Sequence, residues 1–237
     1  MDKLNISHHI SAQFNAELED VRNRVLAMGG LVEQQISNAL RALTDCDVDL
    51  ARAVVNEDTR VNAMEVGIDE ECSRILARRQ PAASDLRLLI AVVKTITDLE
   101  RIGDEAERIA RMTGEICSQS DGRFHHDEVR HLGGMVHGML HDALDAFARL
   151  DDQAALNTAR KDRQIDREYE GILRQLITHM MEDPRHIRRA LSVMWAARSL
   201  ERIGDHSKNI CEYVIYLVKG KDVRHTGIEH TDPTAAN

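Results

Sequence analysis

Aromatic residues are scarce in this chain. Phe, Tyr and Trp make up 3% of its 237 residues, and there are three prolines. The interior must therefore be built from Leu, Ile, Val, Ala and Met, a composition that favours helices over strands. The four cysteines, Cys46, Cys72, Cys117 and Cys211, are scattered and form no Cys-x-x-Cys pair. They read as small core or surface residues of a reduced, cytosolic protein. The start, Met1-Asp2-Lys3-Leu4-Asn5, has no apolar signal core, and no run approaches the length of a membrane span. Work at a membrane is thus expected only through a partner. A net charge of -9 argues against a nucleic-acid binder with a broad basic surface. There is no His-Glu-x-x-His, no phosphate-cradling glycine loop and no nucleophile elbow. Nothing resembles an assembled catalytic apparatus.

What is present is a repeat. Leu99-Glu100-Arg101-Ile102-Gly103-Asp104 returns 101 positions later as Leu200-Glu201-Arg202-Ile203-Gly204-Asp205. The phase extends outward, with Ile109 matching Ile210 and Leu86-Arg87 matching Ile187-Arg188. A duplicated segment that keeps a Glu and an Asp four residues apart points to two equivalent sites. With 43% hydrophobic and 30% charged residues, the chain suits a soluble globular protein with a genuine core.

Helical periodicity runs almost throughout and predicts six helices. The first spans about Ile6 to Leu43, ended by Thr44-Asp45-Cys46-Asp47, and the second about Val48 to Arg79. Pro81 fits the first turn of a third helix, which stops near Gln119 before Ser120-Asp121-Gly122. The fourth covers about His126 to Leu150 and the fifth follows Asp151-Asp152 to Met181. Asp183-Pro184 reads as an N-cap with Pro at the first position of a sixth helix, ending near Gly220. Such short connections make neighbours antiparallel. The expected fold is all-α: two antiparallel three-helix bundles in tandem, residues 6–120 and 124–220, with a flexible tail over 221–237.

Residues four apart share a helix face, so Glu100 and Asp104 converge, as do Glu201 and Asp205. At about 100° per residue, Val92, Ile96, Gly103 and Ala110 form the buried arc and the two acids border it. Lys94, Asp98, Arg101 and Glu105 fall on the expected solvent face. Paired carboxylates repel, and the repulsion must be offset. Arg101 or Arg108 in one copy and Arg198 or Arg202 in the other are the plain answer. A bound Zn, Fe, Mg or Mn ion is the sharper one, because carboxylates supply oxygen ligands. The preceding helices add Asp162 with Asp166, and Asp58 with Asn62, so the second site is expected to be the more anionic. Gly103 and Gly204 inside helices imply close packing or room for an ion. His137/His141 and Glu128-x-x-His131 have no counterpart in the first half and read as a polar helix face.

Several motifs together resemble the PhoU family: Arg79-Gln80-Pro81-Ala82-Ala83-Ser84-Asp85-Leu86-Arg87, Asp98 to Asp104, Met181-Glu182-Asp183-Pro184, Leu200 to His206, and Val214 to Gly220. The resemblance covers about Phe14 to Gly227. It implies two similar three-helix bundles and a cytoplasmic, non-enzymatic regulator of phosphate uptake. Such a protein restrains a phosphate ABC transporter at its cytoplasmic subunits, relays to a sensor histidine kinase and keeps the phosphate-starvation regulon off. Some members bind metal through Glu/Asp-x-x-x-Asp motifs, which carries Glu100, Asp104, Glu201, Asp205, Asp162 and Asp166 over as ligands, with Asp58 in a motif that departs at Asn62. A homodimer is also expected. Two readings stand beside it: a carboxylate-bridged metalloenzyme, and a metal-free scaffold in which Arg neutralises the acids.

Overall fold

The computed structural model describes residues 12–117 and 126–221. Helices α1 (Ala12–Asp45), α2 (Val48–Arg78) and α3 (Ala83–Cys117) form the first half. Helices α4 (His126–Arg149), α5 (Asp152–Ala159), α6 (Asp162–Glu182) and α7 (Ile187–Lys219) form the second, with a 3₁₀ turn over Pro184–His186. The expected start of the first helix at Ile6, the stop at Ser120-Asp121-Gly122 and most of the tail lie outside the described residues.

Local chemistry sets the boundaries. Asp47 caps α2 by accepting from the backbone N–H of Asp49 and Leu50, and Asp151 caps α5 in the same way through Gln153 and Ala154. Gly220, at φ 69°, ends α7 in the left-handed region. Two starts differ from expectation. Helix α3 begins at Ala83 rather than Pro81, and its first turn closes through Leu86 N–H to Ala82 C=O at 2.9 Å. After Asp183-Pro184 a 3₁₀ turn precedes α7, because Asp183 spends its carboxylate on the Arg185 N–H. The single fifth helix is also broken, and a tight turn at Arg160-Lys161 divides it into α5 and α6. Asp162 thereby becomes the first residue of a helix, whereas its counterpart Asp58 sits mid-helix in α2.

The two halves share one apolar core. Within each half the three helical layers pack on one another, and the halves join through α3 against α7 and α1 against α4. The first junction is antiparallel, since Asp98 meets His206 while Glu105 meets Arg202. The second is symmetric at atomic level. A Cβ on Gly29 would lie 2.7 Å from the Leu144 side chain, and one on Gly133 would lie 2.4 Å from Leu40. Gly29 and Gly133 are separated by the same 104 positions as Leu40 and Leu144. Two glycines are therefore exchanged for two leucines across a pseudo-twofold axis.

The α3–α7 junction corrects half of the expected solvent face of α3: Arg101 is exposed and Lys94 half-buried, but Asp98 and Glu105 are not in solvent. Asp98 and Glu105 are 2% exposed, because they meet His206 and Arg202 of α7. The reduced-thiol reading also needs correction. Cys46 and Cys117 form a disulfide, with Cα atoms 5.6 Å apart, that ties the turn after α1 to the end of α3. Cys72 and Cys211 are free and buried. Burial pushes the Cys72 thiol up to about 12 and the Cys211 thiol up as well, so neither is a nucleophile near neutrality.

Candidate functional site

The repeated motif lies on α3 and α7, and α2 and α6 pack along those helices. Asp58, Glu100 and Asp104 thus come within electrostatic reach of one another, as do Asp162, Asp166, Glu201 and Asp205. Burial is the leading cause that raises the pKa of Asp58, followed by the charge of Asp104. Burial followed by the Asp104 charge does the same to Glu100, and burial followed by Glu107 to Asp104. In the second cluster burial again leads. Asp166 is then raised by Asp162, Glu201 by Asp205, and Asp205 by Asp162. Each of these six groups, Asp58, Glu100, Asp104, Asp166, Glu201 and Asp205, resists ionisation because protein crowds out water and like charge lies near, even at Asp205, which keeps an exposed surface.

The clusters differ in what stands against that charge. Among the described residues, none of Asp58, Glu100 and Asp104 forms an ion pair; Asp58 accepts from the Asn62 amide at 3.1 Å, and the Gln35 side chain also favours its charged form. In the second cluster Lys208 Nζ lies 2.6 Å from Asp162 Oδ2, and Arg198 lies 2.5 Å from Glu201 Oε1. Of the arginines considered from sequence, Arg198 therefore does neutralise a motif acid. Arg202 and Arg108 instead hold Glu105, at 2.7 and 3.0 Å.

Buried oxygens without a hydrogen-bond partner mark where a cation would fit. Asn62 Oδ1 lacks a partner in the first cluster, and Asp162 Oδ1 and Glu201 Oε2 in the second, whereas Gln35 and Asp58 stand against each other. Gln35, on α1, is fully buried and was not anticipated. Its only sequence signal is a lone amide among the buried positions Val32, Ile36 and Ala39. Gly103 lets these groups pack closely on α3, since a Cβ there would sit 3.2 Å from both Asp58 Oδ1 and Gln35 Oε1. At Gly204 the same test meets only Ile165 carbons, at 3.3 Å. Gly103 makes room for oxygens, and Gly204 for an aliphatic side chain. Among the described residues no three or more His, Cys, Asp or Glu side chains converge into a closed metal cage. Mutual repulsion in the first cluster and the two cations in the second each act against such convergence. The donor chemistry of the first cluster, amide and carboxylate oxygens, suits a hard divalent ion.

The histidines lie elsewhere. His141 pairs with Glu33 at 2.9 Å across α1 and α4. His131 lines a shallow surface hollow with Asp127 and Arg130.

The PhoU domain family model matches this chain twice, over residues 25–113 and 129–214. The chain belongs to the PhoU family. Relatives run its full length. The phosphate-specific transport system accessory protein PhoU homolog of Pseudomonas putida is 58% identical over 97% of this chain and 90% of its own. PhoU of Escherichia coli, with the same accessory-protein name, is 52% identical over 100% of this chain and 98% of its own. The crystal structure of PhoU from Pseudomonas aeruginosa superposes with a TM-score of 0.85 at 58% identity, covering 88% of this chain and all of that one. The phosphate transport system regulatory protein PhoU of Streptococcus pneumoniae gives 0.83 at 32% identity, over 89% of this chain and 99% of that one. These relatives are accessory and regulatory proteins, not enzymes.

Proposed function

We propose that this protein is the cytoplasmic accessory regulator of a phosphate-specific transport system. It restrains the phosphate ABC transporter at its cytoplasmic subunits, relays the transporter's state to a sensor histidine kinase and keeps the phosphate-starvation regulon off when phosphate is plentiful. The observation that carries this reading is the double PhoU-domain match, with one match on each carboxylate-bearing half. Full-length relatives that bear the transport accessory name support it.

The surface supports a protein that works by docking. Ile187, Leu191 and Trp195 stand exposed at successive turns of α7, and Ile177 and Met181 are exposed on α6. Large apolar side chains left in solvent are characteristic of contact surfaces. No helix among the described residues is long and apolar enough to cross a membrane, so the membrane is reached through the transporter. The carboxylate clusters supply cation-binding capacity to this role.

Deletion of the gene tests the reading. Starvation-induced phosphatase activity is expected to rise in phosphate-rich medium and to fall when the wild-type chain is restored. Unchanged repression in the deletion strain refutes the regulatory assignment. Retention of the transporter's ATPase subunit on the immobilised chain tests the docking step separately.

A further inference from the structure

We propose that the Cys46–Cys117 pair is a site of reversible thiol–disulfide exchange with a dithiol reductant. Its state sets how firmly the end of α3 is held against α2 and α7. This rests on the cytoplasmic part of the preceding reading, because disulfides in that compartment are characteristically transient or redox-sensing rather than permanent.

Comparison of the halves shows that the fold does not need this bond. The turn after α1 recurs 104 positions later after α4. Cys46 has φ 57° and Leu150 has φ 53°. Asp47 N–H donates to Ala42 C=O at 2.9 Å, and Asp151 N–H to Ala146 C=O at 3.0 Å. Cys117 corresponds to Val218 in the 101-residue register of α3 and α7. Leu150 and Val218 are half-buried and pack against the core, so the second half builds the same corner from apolar contacts alone. In the first half a covalent tie replaces them. Apolar packing is permanent, whereas a disulfide can be broken and made again.

The surroundings suit exchange. Cys46 is exposed, so a reductant can approach its sulfur. A thiolate of the dithiol attacks that sulfur, and the S–S electron pair leaves on Cys117, which takes up a proton. The second thiol of the reductant then displaces Cys46 and closes the reductant's own disulfide. Cys72 and Cys211 are buried with raised thiols, so neither competes for the pairing.

What the bond holds is the last turn of α3. Gly114 has open space around its Cα and weak helix propensity, so that turn is loosely made without the tie. Val48, Ala51 and Val55 of α2 face Ala110, Arg111 and Gly114 of α3 across a groove beside the disulfide. Glu115, two residues before Cys117, accepts from Ser192 Oγ at 3.1 Å and pairs with Arg188 at 3.0 Å. Both partners lie at the start of α7, on the stretch that presents Ile187, Leu191 and Trp195. Reduction thus loosens the groove and a junction contact beside the exposed apolar stripe.

Native-state alkylation with mass spectrometry, paired with hydrogen exchange on the full chain, tests this. Without denaturant, dithiothreitol should make Cys46 and Cys117 reactive while Cys72 and Cys211 stay protected, and oxidised glutathione should restore the bond. Amides at the end of α3 should exchange about tenfold faster in the reduced form, with the core of α4 unchanged. Cys46→Ser with Cys117→Ser should match the reduced pattern and ignore dithiothreitol. A bond that resists dithiothreitol until the chain is unfolded overturns the proposal, as does faster exchange spread evenly over all helices. Fractionation of cells separates the two readings. A chain recovered outside the cytoplasm overturns the proposal together with the cytoplasmic reading, whereas a resistant bond in a cytoplasmic chain overturns the proposal alone.

Discussion

Asp98 of α3 and His206 of α7 meet with Oδ1 and Nδ1 2.7 Å apart, in the middle of the junction between the two halves. The Asn209 amide donates to the same carboxylate oxygen at 3.2 Å. Asp98 is 2% exposed and His206 8%, so this polar contact is made away from water. Removing Asp98 leaves His206 buried without this partner, and removing His206 leaves Asp98 with the Asn209 amide alone, at a cost of about 2–4 kcal/mol. Asp98→Ala and His206→Ala should each lower the urea midpoint accordingly, and the double variant should lose much less than the sum. Additive losses in the double-mutant cycle would show that the two residues do not act as a pair.

The disulfide closes a loop over a sequence separation of 71 residues. Closure of that size restricts the unfolded chain and contributes about 2–4 kcal/mol. Cys46→Ser with Cys117→Ser should therefore lower stability by that amount, and dithiothreitol should do the same to the wild type but not to the variant. Thiol titration before and after reduction checks the pairing, with two new thiols expected in the wild type.

Glu17 is held below its usual range, first by its hydrogen bond to Arg79, at 2.9 Å from Oε1. A depressed folded value means that the unfolded state binds more protons in the window between the two values. Stability from this pair is therefore full above the unfolded value of 4.5 and disappears as pH falls through the folded one. Both side chains are solvated, so water and salt screen the pair and its contribution is small. Wild type and Glu17→Gln should differ slightly in midpoint near neutrality and converge in acid. A gap that widened in acid would contradict the sign.

Neighbouring glycines on α1 should respond in opposite directions. Nothing lies within 4 Å of a Cβ on Gly30, so Gly30→Ala should stabilise by about 0.5–1 kcal/mol through helix propensity. Gly29→Ala would drive a methyl to 2.7 Å from Leu144, and Gly133→Ala one to 2.4 Å from Leu40. Each should cost about 1–3 kcal/mol. Thermal midpoints of the three variants provide the comparison.

In chelator-treated protein the repulsion in the first cluster is only partly offset, by the Asn62 and Gln35 amides and by Arg101, Arg108 and Arg202 at longer range. Asp58→Asn removes one of its charges and keeps a polar side chain of similar size. Its thermal midpoint should be above that of the wild type, and added Mn2+ should stabilise the wild type more than the variant. A lower midpoint for the metal-free variant would show that the Asp58 charge is already compensated within the chain.

Much of this was legible in the residue order. Asp47, Asp151, Asp183 and Gly220 stop or start helices through their own backbone chemistry, which needs no distant partner. The spacing of Glu100 with Asp104 and of Glu201 with Asp205 placed two acids on one face. The division of the fifth helix at Arg160-Lys161 was not legible, because no proline or glycine marks the turn. Gln35 was missed because it has no partner within its own helix, and Lys208 because its charge reads as ordinary surface until Asp162 is brought to it.

By itself the sequence determined the helices, their duplication and the acids that border each buried arc, since these depend on contacts within a few residues. Only the tertiary structure decided what surrounds those acids. It covered Asp98 and Glu105 with α7, set Cys46 beside Cys117, and brought Gln35 and Asp58 together over Gly103. Electrostatic character depends on distances between groups far apart in the chain. For that reason two copies of one motif became one cluster with a paired ammonium and one without.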